Sequence, residues 1–150
     1  MKKSWLLFAA LLVTLGAMAQ VKDPVKWTFA AKKKADKVYE VTVTAVMAKP
    51  WHIYSQTTPD GGPIPTKLTF KSNPLVTMDG KAKEVGTLKV DHDQNFGVDV
   101  KYYYESVVFV QTVKLKGNVK TNIAGNVEYM ACDDSQCLPP TTKSFDIKLQ

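Results

Sequence analysis

The chain has 150 residues, 45% of them hydrophobic and 23% charged, which suits one globular domain with an ordinary core and argues against wholesale disorder. Eight Gly and eight Pro exclude collagen-like or linker sequence, and two Cys exclude a cysteine-dense mini-scaffold. The net charge of +6 comes from lysine, since all 20 basic residues are Lys; specific recognition of nucleic acid favours bidentate Arg and is not expected.

Residues 1–19 read as an export signal. Lys2 and Lys3 form a charged start, residues 5–15 an apolar stretch, and Ala17-Met18-Ala19 a small-x-small cleavage site that leaves Gln20 as the first mature residue. The apolar stretch is shorter than the roughly 20 residues of a membrane span, and no second one follows. No Cys stands at the cleavage site, so neither a lipid anchor nor membrane insertion after cleavage is expected. Residues 20–150 then form one exported domain, expected to be monomeric. In a Gram-negative host its destination is the periplasm, where thiols are pushed toward disulfides.

The mature chain is dominated by a period of two. Residues 25–30 open a short strand. Lys32-Lys33-Lys34 reads as a solvated turn. Residues 38–47 alternate Tyr39, Val41, Val43, Ala45 and Met47 with Glu40, Thr42 and Thr44, the pattern of a half-buried strand. Residues 51–55, 67–70 and 85–90 are shorter candidates. Residues 105–115 are apolar on both faces and read as a central strand. Ile123, Val127 and Tyr129 mark another, and Phe145, Ile147 and Leu149 the last. Turn signals separate these runs at residues 59–63, 72–74, 79–80 and 116–118. No mature segment carries a helical stripe. The pattern predicts an all-β, immunoglobulin-like antiparallel sandwich.

Residues 91–99 read as a polar loop around one large aromatic, Phe96. Either the Phe tucks into the core or the loop covers a functional site.

The informative segment is Tyr129-Met130-Ala131-Cys132-Asp133-Asp134-Ser135-Gln136-Cys137-Leu138-Pro139-Pro140. A turn brings two cysteines with four residues between them into disulfide range. Closing so short a loop stabilises by only about 2 kcal/mol, and a chain of this length builds a core unaided, so a staple is a weak reason for the pair. Structural, redox and metal readings all remain open on spacing alone. Asp133 and Asp134 put negative charge beside the sulfurs, which disfavours a thiolate and favours the disulfide over the dithiol. The pair then reads as a donor of electrons. Pro139 and Pro140 stiffen the exit and discourage ladder pairing, keeping Cys137 accessible. A metal reading would use both Cys with His52, His92 and Met130, a donor set suited to copper(I) or zinc. The two His show no ligand spacing; His52 reads as a packed or surface residue and His92 as solvated.

Tyr129-Met130-Ala131-Cys132 and Cys137-Leu138-Pro139-Pro140-Thr141 together resemble the Tyr-x-x-Cys…Cys-x-Pro-Pro signature of the N-terminal periplasmic domain of the thiol:disulfide interchange protein DsbD family. Trp51-His52-Ile53-Tyr54 resembles that family's aromatic strand, and Gln94-Asn95-Phe96-Gly97 its cap loop; the resemblance runs from about residue 25 to 149. It implies an immunoglobulin-like fold and thiol–disulfide exchange without a cofactor. It also implies electrons received from a thioredoxin-like module and passed to periplasmic partners such as disulfide isomerases and the thioredoxins of cytochrome c maturation. Carried over, Cys137 forms mixed disulfides, Cys132 resolves them, Phe96 is the cap, and Trp51, Tyr54 and Tyr129 line the site. The cysteine spacing is one residue shorter than the family's, and Gln94 and Asn95 stand where the family has acidic residues. Neither a membrane electron-transfer domain nor a thioredoxin-like domain is recognisable in these 150 residues. A separate thioredoxin-like or membrane electron-transfer protein is therefore the expected reductant.

The expected activity is that of a protein-disulfide reductase or interchange component. Its rivals are a non-enzymatic binding sandwich with a structural disulfide, using Trp51 and Tyr102-Tyr103-Tyr104, and a periplasmic copper carrier. No nucleophile elbow or Ser-His-Asp pattern supports a hydrolase.

Overall fold

In the computed structural model, residues 23–94 and 96–150 are described; the expected leader and its cleavage site lie outside them, as does Asn95. Among the described residues nine strands follow in order: β1 Val25–Ala35, β2 Val38–Met47, β3 His52–Tyr54, β4 Lys67–Phe70, β5 Val76–Asp93, β6 Val98–Leu115, β7 Thr121–Tyr129, β8 Ala131–Cys132 and β9 Thr141–Leu149. All pairings are antiparallel. The larger sheet runs β1-β2-β6-β3-β8 with β5 also on β6, and the smaller runs β4-β7-β9. The fold is an immunoglobulin-like β-sandwich.

The alternation read from sequence is the alternation of burial. Tyr39, Val41, Val43, Ala45 and Met47 face inward from β2, and Ile123, Val127 and Tyr129 from β7. Phe109 is wholly buried at the centre of β6, stacked with Trp27 at 6.2 Å. Phe29 and Phe70 pack on Phe145 from two sides, at 5.2 and 5.6 Å. Gly125 makes room for this: a Cβ there would stand 2.4 Å from the Thr69 carbonyl oxygen and 2.5 Å from the Phe145 ring.

Three expectations need correction. Lys32-Lys33-Lys34 is not a turn but the end of β1, where Lys32 opposes Glu40 and Lys34 pairs with Glu40 at 3.6 Å. Asp79-Gly80 does not end a strand; it lies within β5, where the register slips between Asp79 and Lys83 and Gly80 takes a φ of 68°. Most of the polar segment 91–99 is strand, because β5 and β6 continue outward as one long hairpin. Polar cross-strand contacts support it: His92 Nδ1 and Asp99 Oδ1 lie 2.9 Å apart on paired residues, and the Tyr102 hydroxyl donates to Asp91.

β6 organises the molecule. β5 follows one of its edges throughout, while the other edge is shared in sequence by β2 and then β3. The β2-facing half is covered by the smaller sheet, and the β3-facing half carries the cysteines.

Candidate functional site

β3 is three residues long and lies between β6 and β8. His52 opposes both Tyr104 and Cys132, Ile53 opposes Tyr103 and Ala131, and Tyr54 opposes Tyr102. Opposed residues share a face. Ile53, Tyr103 and Ala131 therefore point into the main core, while His52, Tyr54, Tyr102, Tyr104 and Cys132 face the other way. There Tyr54, Val100 and Cys132 form a second small buried cluster, flanked by Val98, Tyr102 and Met130.

Cys132 and Cys137 are joined in a disulfide with Cα atoms 4.0 Å apart, and the two residues also form an isolated antiparallel bridge. The loop between them is built by Asp133. Its Oδ1 accepts the amides of Ser135 and Gln136 and the Ser135 hydroxyl, each at 2.9 Å, and these bonds, the Ser135 amide first, hold its carboxyl below the ordinary carboxylate range. Asp133 thus shapes the loop as well as charging it. The two cysteine residues differ sharply in burial: Cys132 is 1% exposed, whereas Cys137 is an exposed residue.

Both cysteines border a surface cavity of about 470 Å³ with His52, Tyr54, Phe96, Tyr102, Tyr104, Asp133 and Asp134. Phe96 reaches it from the tip of the β5–β6 hairpin. Asp93 closes that tip by accepting the Phe96 amide at its carboxylate (3.2 Å) and the Gly97 amide at its carbonyl (2.7 Å), with Gly97 at a φ of 69°. Phe96 is 49% exposed and belongs to neither buried cluster.

Trp51 and Tyr129 lie elsewhere. Trp51 is buried in the main core and borders a neighbouring cavity of about 610 Å³, which shares Tyr104 and Asp134 with the cysteine cavity. Tyr129 packs against Trp27 at 5.0 Å, and its hydroxyl donates to Asp23. Burial pushes Tyr129 up to about 12, and Tyr54 likewise to about 12.

The site also holds a residue that the sequence reading set aside. His52 sits among three tyrosine rings, with centroids 5.3 Å from Tyr54, 4.9 Å from Tyr102 and 5.1 Å from Tyr104. Burial pulls its imidazole below the ordinary value, while the Asp134 and Asp133 carboxylates pull the other way. The available signal was phase: on a period of two, His52 shares a face with Tyr54 and not with Ile53. Among the described residues, no three His, Cys, Asp or Glu side chains converge as a metal site.

The sandwich is similar to several solved structures. One is the reduced N-terminal domain of Neisseria meningitidis DsbD, at 18% identity and TM-score 0.56 over 83% of this chain and 84% of that one. A second is the complex of the DsbD and PilB N-terminal domains from Neisseria meningitidis, at 18% identity and TM-score 0.54 over 85% and 87%. The N-terminal periplasmic domain of Proteus mirabilis ScsB matches at 16% identity and TM-score 0.57; this match covers 83% of this chain and only 46% of that one. Comparison with curated proteins gives no match. The family model described as thiol:disulfide interchange protein DsbD, N-terminal, spans residues 19–149, and with the cysteine pair joined within that span the chain belongs to this family.

Proposed function

We propose that the Cys132–Cys137 pair is a reversible dithiol–disulfide centre of an exported, periplasmic protein that passes electrons between protein partners. The observation that carries this reading is the asymmetric burial of the two cysteine residues, which supports an accessible sulfur at Cys137 and a shielded one at Cys132. Exchange needs one sulfur that a partner can reach and a second held ready behind it. Cys137 is exposed and Cys132 is 1% exposed. A partner thiolate attacks Cys137, the Cys132 sulfur leaves, and a mixed disulfide forms. To give the electrons up, the Cys137 thiolate attacks a partner disulfide and forms a mixed disulfide, and Cys132 then attacks Cys137 and displaces the partner as a thiolate.

Phe96 is the cap over this cavity, limiting small oxidants until a partner displaces it. Asp133 and Asp134 disfavour a thiolate beside the pair, so the dithiol gives up electrons readily. The partners are thioredoxin-like redox proteins or a membrane electron-transfer protein. The Neisseria complex of DsbD and PilB N-terminal domains supports a protein partner, and the periplasmic ScsB domain supports the compartment.

The test is to trap mixed disulfides with Cys132→Ala in a periplasmic extract and to measure the pair's reduction potential. The reading expects redox proteins attached through Cys137 and a reducing potential. A disulfide that resists every thioredoxin-type reductant contradicts exchange, and a potential near that of a strong periplasmic oxidant, about −120 mV, contradicts electron donation.

A further inference from the structure

We infer that His52 is the proton partner of the Cys132 sulfur, taking its proton when the pair closes and returning it when the pair opens. The inference rests on the exchange reading above and adds a residue to it. His52 and Cys132 are directly opposed on β3 and β8, which places their Cβ atoms about 4.5–5.5 Å apart on one face. Both border the same cavity.

Cys132 needs such a partner. It is buried, and it shares its cavity with the Asp133 and Asp134 carboxylates, surroundings that disfavour a negative charge on sulfur. Yet resolution of a mixed disulfide requires its thiolate. His52 has the matching chemistry. Its Nδ1 is buried and has no hydrogen-bond partner among the described residues, while Nε2 lies 3.3 Å from the Tyr54 hydroxyl. In the tautomer whose Nε2–H donates to Tyr54, Nδ1 carries a lone pair. Burial pulls the imidazole below its ordinary value, which favours the neutral ring, the form able to accept a proton.

Most of the other titratable groups around the cavity are engaged, and Tyr104, opposite His52 on β6, meets the imidazole edge-on at 5.1 Å. Asp133 holds the loop amides, Asp91 accepts from Tyr102, His92 is tied to Asp99, and Asp93 takes the Phe96 amide. Tyr54 and Tyr102, pushed up by burial, keep their protons at neutral pH. Asp134, like Asp133, raises the basicity of His52.

The step balances. The Cys132 thiol passes its proton to the imidazole, and the thiolate electron pair forms the bond to Cys137 Sγ. The bond between Cys137 and the partner breaks, and the partner sulfur leaves as a thiolate with that electron pair. The cysteine pair is oxidised by two electrons, the partner is reduced, and the imidazolium releases its proton to water or to the departing sulfur.

Thionitrobenzoate placed on Cys137 of the reduced protein tests this directly, because Cys132 must expel it to close the disulfide. Release is followed by absorbance across pH in the wild type, His52→Gln and His52→Phe. The expected wild-type rate levels off as His52 loses its proton. Both variants should be slower by at least about tenfold at neutral pH, with a rate that keeps climbing with pH until it meets the wild type in alkali. That convergence shows that the fold and the sulfur geometry survive. Superimposable pH profiles overturn the role of His52 while leaving exchange intact. A constant deficit at every pH also overturns it, because that is the mark of altered packing. No release from the wild type at any pH overturns the exchange reading itself, and the inference with it.

Discussion

Two ends of one sheet have opposite fates. At the β2-facing end of β6, both strands turn alternate residues onto the smaller sheet, and Phe109, Val41 and Val43 are sealed in a continuous core. At the β3-facing end, Ile53 and Tyr103 still reach that core, but their neighbours His52, Tyr54, Tyr102 and Tyr104 face a small cluster on the other side, beside the disulfide and the hairpin tip. One strand therefore anchors the site to a rigid core through one residue and furnishes it through the next. The covered end supplies stability; the sparsely covered end leaves Cys137 an exposed residue.

Substitutions can break or sharpen this contrast. The largest effect is expected from Cys137→Ala, which should abolish exchange with a dithiol partner in a turnover assay while costing only about 2 kcal/mol of stability, because the loop it closes is short. At the covered end the signs reverse. Phe109→Ala should cost about 3–5 kcal/mol in urea unfolding through the cavity it leaves. Gly125→Ala should also destabilise, by about 1–3 kcal/mol, since its methyl meets a backbone carbonyl and the Phe145 ring.

Between the two ends sits Glu84. It accepts the Ser55 hydroxyl and the Gln56 amide, each at 2.7 Å, and the Tyr103 hydroxyl at 2.8 Å, tying the segment after β3 to β5 and β6. Glu84→Ala strands these donors and should lower stability by about 1–3 kcal/mol, read by the same unfolding measurement. Phe96→Ala should leave stability within about 0.5 kcal/mol and speed oxidation of the reduced protein by small disulfides several-fold. An unchanged oxidation rate would remove the cap from the account.

The smallest effect concerns pH. Burial pushes the Asp23 carboxyl up, but Lys143 at 2.6 Å, the Val25 amide and the Tyr129 hydroxyl together outweigh it and hold it below the ordinary value. A carboxyl depressed in the folded state stabilises above its unfolded value and loses that contribution as pH falls through the folded one. Acid titration of Asp23→Asn against the wild type should show a difference under about 1 kcal/mol, because the pair is well exposed.

The sandwich was legible because its strands alternate: β2 and β4 match the sequence reading end to end. The hairpin of residues 91–99 was not, because its cross-strand pairs are polar and alternation of hydrophobicity carries no signal there. The cysteine pair stood out as a local motif, and the structure joins it; Phe96, from a separate segment, borders the same cavity. The position of His52 opposite Cys132 was not legible, since it comes from a pairing between segments some 80 residues apart. Trp51 and Tyr129 show the converse: both are close in sequence to the site, and both are drawn into the main core by their phase.

The most direct measurement mixes reduced Cys132→Ala with an oxidised thioredoxin-fold protein and maps the resulting linkage by mass spectrometry. The account predicts a stable bond from Cys137 to the partner's cysteine. Failure to form any linkage, matched by a wild-type disulfide that no dithiol protein can open, would contradict it.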